Sequence, residues 1–276
     1  MKKLLLLAAL AICFTGFETT ATAQGLQISW TNNLLTISGP ELPGKTMDVW
    51  YLEAFCRRGS TARDWKETTL PHKTKLLAAS ADGKGLKFRT LIEPQIEMLH
   101  LLRAGDDDLT IYFEFTNHGT NAVDLEWFQP ACIRVEKFTG CVQSNYTARS
   151  FIFTERGLTT LAATRRTEEA RYRGGQVYVP TGIDLADVNP RPASLDRPVN
   201  GLIGCFSADN RWLLATASDR TQELFEGVYV CLHSDPRVGG LKPGEVKKLR
   251  SKIYFLKNDP EALLKRYQKD FPPVPK

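Results

Sequence analysis

The sequence predicts an all-β protein, a large antiparallel two-sheet sandwich closed by a carboxyl-terminal helix. Three observations carry that expectation. Apolar residues recur with a period of two along most of the chain, the spacing that turns one face of a strand inward. Strand pattern follows strand pattern with no amphipathic helical stretch between, which removes the crossovers that a parallel sheet needs. One capped helix is signalled, and it comes last. With 276 residues, 42% of them hydrophobic and 24% charged, the chain has the composition of an ordinary globular protein and the length of one large β domain.

At the amino end, Lys2 and Lys3 precede an apolar run from Leu4 to Ile12, and Ala21-Thr22-Ala23 closes the segment. This is the pattern of a secretory signal peptide over residues 1–23, with a mature single β-sandwich domain over 24–276 and a periplasmic or secreted location. Nothing later approaches the roughly 18–20 apolar residues of a membrane helix, so no membrane span is expected.

The first strands are read at Leu26, Ile28 and Trp30, at Leu35 and Ile37, and from Val49 to Cys56. Ile96 to Leu102 leads through Ala104-Gly105-Asp106-Asp107-Asp108, a solvated turn, into Leu109, Ile111, Phe113 and Phe115. After Asn117 to Asn121 come Val123, Leu125 and Trp127, which predict a hairpin with the preceding strand and a meander over 95–135. Later strands are expected at Phe151–Thr154, Gln176–Val179, Leu202–Phe206, Trp212–Ala217, Gly227–His233 and Lys247–Leu256. Pro180 to Asn200 holds four of the 15 prolines and reads as a long surface loop, a place where function is often carried. The helix is capped by Asn258 or Asp259, has Pro260 at its first position, and shows Leu263, Leu264 and Tyr267 before Phe271-Pro272-Pro273 stops it.

Lys and Arg total 36 against 31 Asp and Glu, a net charge of +5 without a basic block, so nucleic acid is not an expected partner. There is no GxSxG, no HExxH, no phosphate-cradling loop and no dinucleotide fingerprint. Beyond Cys13 the chain has Cys56, Cys132, Cys141, Cys205 and Cys231. Cys132, Cys205 and Cys231 lie in apolar stretches and read as buried thiols, while Cys141, next to Gly140, is the most exposed candidate for a disulfide. With no CxxC and no Cys/His pair at the spacing of a structural zinc site, neither a metal nor a cofactor is expected.

Three polar clusters stand at expected strand ends. The first runs from Glu53 through Arg57, Arg58 and Arg63 to Trp65, followed by His72; guanidinium groups hydrogen-bond hydroxyls or a carboxylate, and an indole stacks on a sugar face. The second holds Trp127, read as core, with Gln129 and Arg134, which need polar partners. The third is His233-Ser234-Asp235-Pro236-Arg237, where the histidine and Asp235 point to the same side of a strand and could do acid/base work. Each cluster also has a plain structural reading as a solvated loop or turn.

Glu53-Ala54-Phe55-Cys56-Arg57 with Trp65, then Leu109 to Asn117, then Trp127-Phe128-Gln129, resemble in order and spacing the galactose mutarotase-like supersandwich of aldose 1-epimerases over about residues 49–135. The resemblance implies that fold and a saccharide ligand. Where epimerases of that family keep histidines, this chain has Glu53 and Gln129, and Gln cannot titrate. The leading expectation is an exported carbohydrate-binding protein, acidic sugars included, using Arg58, Arg63, Trp65, Gln129, Arg134 and Arg237. Two alternatives stand beside it: an epimerase or polysaccharide lyase with His72 or His233 as base, Glu53 as acid and Asp235 orienting the imidazole, and an interaction protein without a small-molecule site.

Overall fold

The computed structural model describes residues 25–173 and 175–272. The expected leader over 1–23, with Cys13, lies outside them. Two large antiparallel sheets form the sandwich. A seven-stranded sheet has the spatial order Gln27–Thr31, Leu34–Ser38, Thr46–Trp50, Cys132–Arg134, Cys231–Pro236, Thr221–Gly227 and Gln176–Tyr178. A nine-stranded sheet runs Gly157–Thr160, Ser150–Thr154, Ile203–Phe206, Trp212–Ser218, Val246–Lys257, Asp108–Asn117, Ile96–Ala104, Gly85–Ile92 and His72–Ala79. Their facing sides share one core, with Leu35, Val49, Ile133, Leu224 and Leu232 from the smaller sheet and Phe88, Met98, Ile111, Phe113, Leu214 and Ile253 from the larger. This is the all-β two-sheet sandwich that period-two patterning predicts.

The carboxyl-terminal helix, Pro260–Asp270, forms as expected. Asp259 accepts hydrogen bonds from the Glu261 and Ala262 amides, a cap that stabilises by about 1 kcal/mol. Leu263 and Phe271 bury against Phe151, Leu213, Ala215 and Tyr254, covering the outer face of the larger sheet. The Asp106–Asp108 turn is less solvated than expected, because Arg266 of this helix binds both Asp107 and Asp108 and Lys252 also binds Asp108.

Four expectations need correction. The strand Val49–Cys56 is two strands: Thr46–Trp50 stays in the seven-stranded sheet, whereas Ala54–Cys56 pairs with Trp127–Gln129 in a small separate sheet. Tyr51 turns into the sandwich interior to meet His100 between them. The hairpin of 109–115 with 123–127 does not form, because Asp108–Asn117 already has Ile96–Ala104 on one edge and Val246–Lys257 on the other. The apolar run Gly227–His233 is not one strand: it ends Thr221–Gly227, turns through 228–230 and begins Cys231–Pro236, with Val230 at a φ of 52° and Tyr229 exposed. Cys141 is buried, and all five described cysteines are free thiols.

Candidate functional site

The outward face of the seven-stranded sheet carries chemistry where its inward face carries core. Cys231, His233 and Asp235 alternate on one strand with Leu232 and Ser234, so all three project to the same side. Register places Ile133 opposite Leu232 and Arg134 opposite Cys231, which sets Cys132 beside His233 on that same side. On the other neighbour, Glu223 stands opposite Asp235, Phe225 opposite His233, and Gly227 opposite Cys231. Hydrophobic alternation on one face thus leaves a row of thiol, imidazole and carboxylates on the other.

Loops roof this row. The segment after Ala54–Cys56 is pinned to the 180–200 loop by Gly59 N to Asp187 Oδ1 at 2.7 Å and Ser60 Oγ to the Val188 carbonyl at 2.6 Å. Between roof and sheet lies a cleft of about 430 Å³ lined by Glu53, Arg63, Trp65, Gln129, Cys132, Asn189, Arg191, Tyr229, Cys231 and His233, among others. That volume falls in the usual range for small-molecule sites, about 300–1,000 Å³. Larger hollows exist, one of about 920 Å³ around Arg156, Arg165 and Asp196, in which Asp196 is already paired with both arginines.

At the floor of the cleft, His233 Nε2 lies 3.5 Å from Cys231 Sγ and 3.8 Å from Glu53 Oε2, while Nδ1 faces Asp235 Oδ1 at 3.6 Å. The nearest ligand atoms of Cys132, Cys231 and His233 are all within 4.8 Å of one another. Gln129 donates to Asp235 Oδ2 at 3.1 Å. The buried His233 Nδ1, Asp235 Oδ1 and Glu223 Oε1 have no hydrogen-bond partner, a costly condition that seldom persists in a purely structural core.

Burial pushes the His233 imidazole toward neutrality, but Cys132 and Asp235 outweigh it and hold its pKa well above the ordinary value. The neighbouring Cys132 thiol, aided by His233, draws the Cys231 thiol well below its usual range. Burial raises Glu53, and burial with the facing Asp235 raises Glu223. Perturbation of this kind in a cleft marks candidate functional groups.

Of the residues expected from sequence, the cleft gathers Glu53, Arg63, Trp65, Gln129 and His233, with Asp235 directly behind the imidazole. Arg134 stands at its border, its guanidinium 5.1 Å over the Tyr229 ring. Arg58 and Arg237 do not line the cleft: each holds Glu126 at 2.7 Å, and that carboxylate is fully buried. His72 lies edge-on to Phe55 and lines a separate hollow with Arg89, Glu97 and His118, where burial lowers its pKa. Sequence reading missed Cys132, Cys231, Glu223, Asn189, Arg191 and Tyr229. The signal for one of them was present, since the side shared by His233 and Asp235 extends two residues back to Cys231.

The fold and site define a two-sheet antiparallel β-sandwich with a loop-roofed, titratable cleft on one outer face. No family model and no curated protein matches the chain. Among solved structures it is similar, distantly, to galactose mutarotase-like and aldose 1-epimerase-like proteins. A GalM/aldose epimerase homologue from C. elegans shares 11% identity over 86% of this chain and 97% of its own, with a TM-score of 0.47. A putative aldose 1-epimerase from Escherichia coli K12 shares 10% over 84% and 99%, with a TM-score of 0.41. A galactose mutarotase-like protein from Lactobacillus casei ATCC 334 shares 9% over 84% and 100%, with a TM-score of 0.43.

Proposed function

We propose that this cleft binds a carbohydrate. The observation that carries the reading is the convergence of Trp65, still 40% exposed, with Arg63, Arg191, Asn189 and Glu53 around one opening. An accessible indole face offers apolar area to the C–H face of a sugar ring, and the surrounding guanidinium, amide and carboxyl groups complement its hydroxyls. Arg63 and Arg191 stand at the opening with Asp64 and with Glu53, whose ionisation burial opposes, and their guanidinium forks suit a uronate carboxylate better than a neutral hydroxyl. Placement outside the cytoplasm belongs to the same proposal and rests on the pattern from Lys2 to Ala23; amino-terminal sequencing of the exported protein should begin at Gln24.

Calorimetric titration with neutral and uronic oligosaccharides tests the binding. The expected result is saturable binding that favours the uronic series and falls about tenfold, about 1.4 kcal/mol, in Trp65→Ala. Absence of binding across both series, or binding indifferent to Trp65→Ala and Arg63→Ala, would remove the proposal. A changed anomer ratio by NMR, or an unsaturated product absorbing in the ultraviolet, would turn the binding site into an active site.

A further inference from the structure

The floor of the cleft has the geometry of a metal site. A tetrahedral zinc ion has Zn–S distances of about 2.3 Å and Zn–N distances of about 2.0–2.1 Å, which places a thiolate sulfur and an imidazole nitrogen about 3.5 Å apart. Cys231 Sγ and His233 Nε2 are 3.5 Å apart, and Cys132 Sγ completes a triangle with no side above 4.8 Å. The three side chains come from two hydrogen-bonded strands in a rigid sheet, so their relative positions are fixed before any ion arrives.

The surroundings fit as well. A histidine that binds metal through one nitrogen commonly offers the other to a carboxylate, and His233 faces Asp235 with a buried Nδ1 that has no other partner. Asp235 is in turn held by Gln129. Glu53 Oε2, 3.8 Å from Nε2 and reachable from the cleft, is placed to supply the fourth ligand or to hold a water there. Space for the sulfur is secured by Gly227, where a Cβ would fall 2.3 Å from Cys231 Sγ.

We propose that Cys132, Cys231 and His233 bind one thiophilic divalent cation of the zinc type, with Glu53 or a cleft oxygen in the fourth position. Two thiolates and an imidazole select such an ion over magnesium or calcium. The site does not depend on the carbohydrate reading, since the ligands are complete without any sugar.

The test uses reduced full-length protein, freed of reductant and titrated anaerobically with Co²⁺ and then Zn²⁺. Expected are one metal per chain by elemental analysis, a tetrahedral cobalt spectrum with a thiolate charge-transfer band, and displacement of that band by zinc. The band should vanish in Cys132→Ser and Cys231→Ser, persist in Cys141→Ser, and require roughly 10- to 100-fold more cobalt in Asp235→Asn. Gly227→Ala, which closes the space beside the sulfur, should also abolish it. Failure of the reduced wild-type protein to retain metal overturns the proposal whatever the variants do, as does an unchanged band in folded Cys132→Ser and Cys231→Ser. Neither outcome bears on sugar binding, which calorimetry reads separately.

Discussion

Two histidines are almost completely buried in this protein, one on each sheet, and their surroundings differ in kind. His100, on the nine-stranded sheet, has Nδ1 2.6 Å from the Tyr51 hydroxyl and Nε2 3.0 Å from the Thr90 hydroxyl, and stacks on Phe88 at 4.9 Å. Every polar atom has a neutral partner, and burial alone lowers its pKa to about 3. His233, on the seven-stranded sheet, meets thiols and carboxyls instead, and its Nδ1 lacks a hydrogen bond. The same degree of burial silences one imidazole and leaves the other poised. What separates a structural histidine from a chemical one is the charge and satisfaction of its neighbours, not its exposure.

The largest effect that could break this contrast is acid sensitivity at His100. Folded His100 stays neutral down to about pH 3, whereas the unfolded imidazole takes a proton near 6.5. Between those values the unfolded chain binds more protons, so this contribution to stability is full above about pH 6.5 and is lost as the pH falls toward 3. At about 1.36 kcal/mol per pH unit the loss reaches about 5 kcal/mol. NMR titration of the ring should show no protonation of His100 above about pH 4, and a midpoint near 6.5 would dissolve the distinction.

A smaller effect is expected from Tyr51→Phe, which strips His100 Nδ1 of its partner in a dry core. It should cost about 1–3 kcal/mol in urea unfolding while leaving sugar and cobalt binding unchanged. The smallest has the opposite sign. Glu223 and Asp235 are two buried carboxyls facing each other, and burial together with Asp235 raises Glu223 well above its usual range. Glu223→Gln should therefore raise stability by about 1 kcal/mol, the signature of a site whose strain serves function. A loss of several kcal/mol would mean that this carboxyl is structural after all.

Period-two alternation made most of the larger sheet legible, because strands such as Ile96–Ala104 and Val246–Lys257 bury one face and expose or pair the other. It failed at Gly227–His233, where both sides of a tight turn are apolar and no Asn-Gly or Pro marks the reversal. The site was half legible. His233 and Asp235 follow from strand geometry alone, and so would Cys231. That Cys132 joins them depends on the register of Ile133 with Leu232, a pairing about 100 residues apart that no local pattern encodes. Likewise, nothing in the spacing of Arg58 and Arg237 shows that they share Glu126 rather than a ligand.

The bond from Gly59 to Asp187 joins residues 128 positions apart, and the thiols beneath that roof are made at different moments. Cys132 is synthesised well before the strand bearing Cys231 and His233, so one of the three side chains of the cluster precedes the other two. Cys132 and Cys231 become neighbours only once the Cys231–Pro236 strand has paired with Cys132–Arg134, and both thiols are buried in the finished sheet.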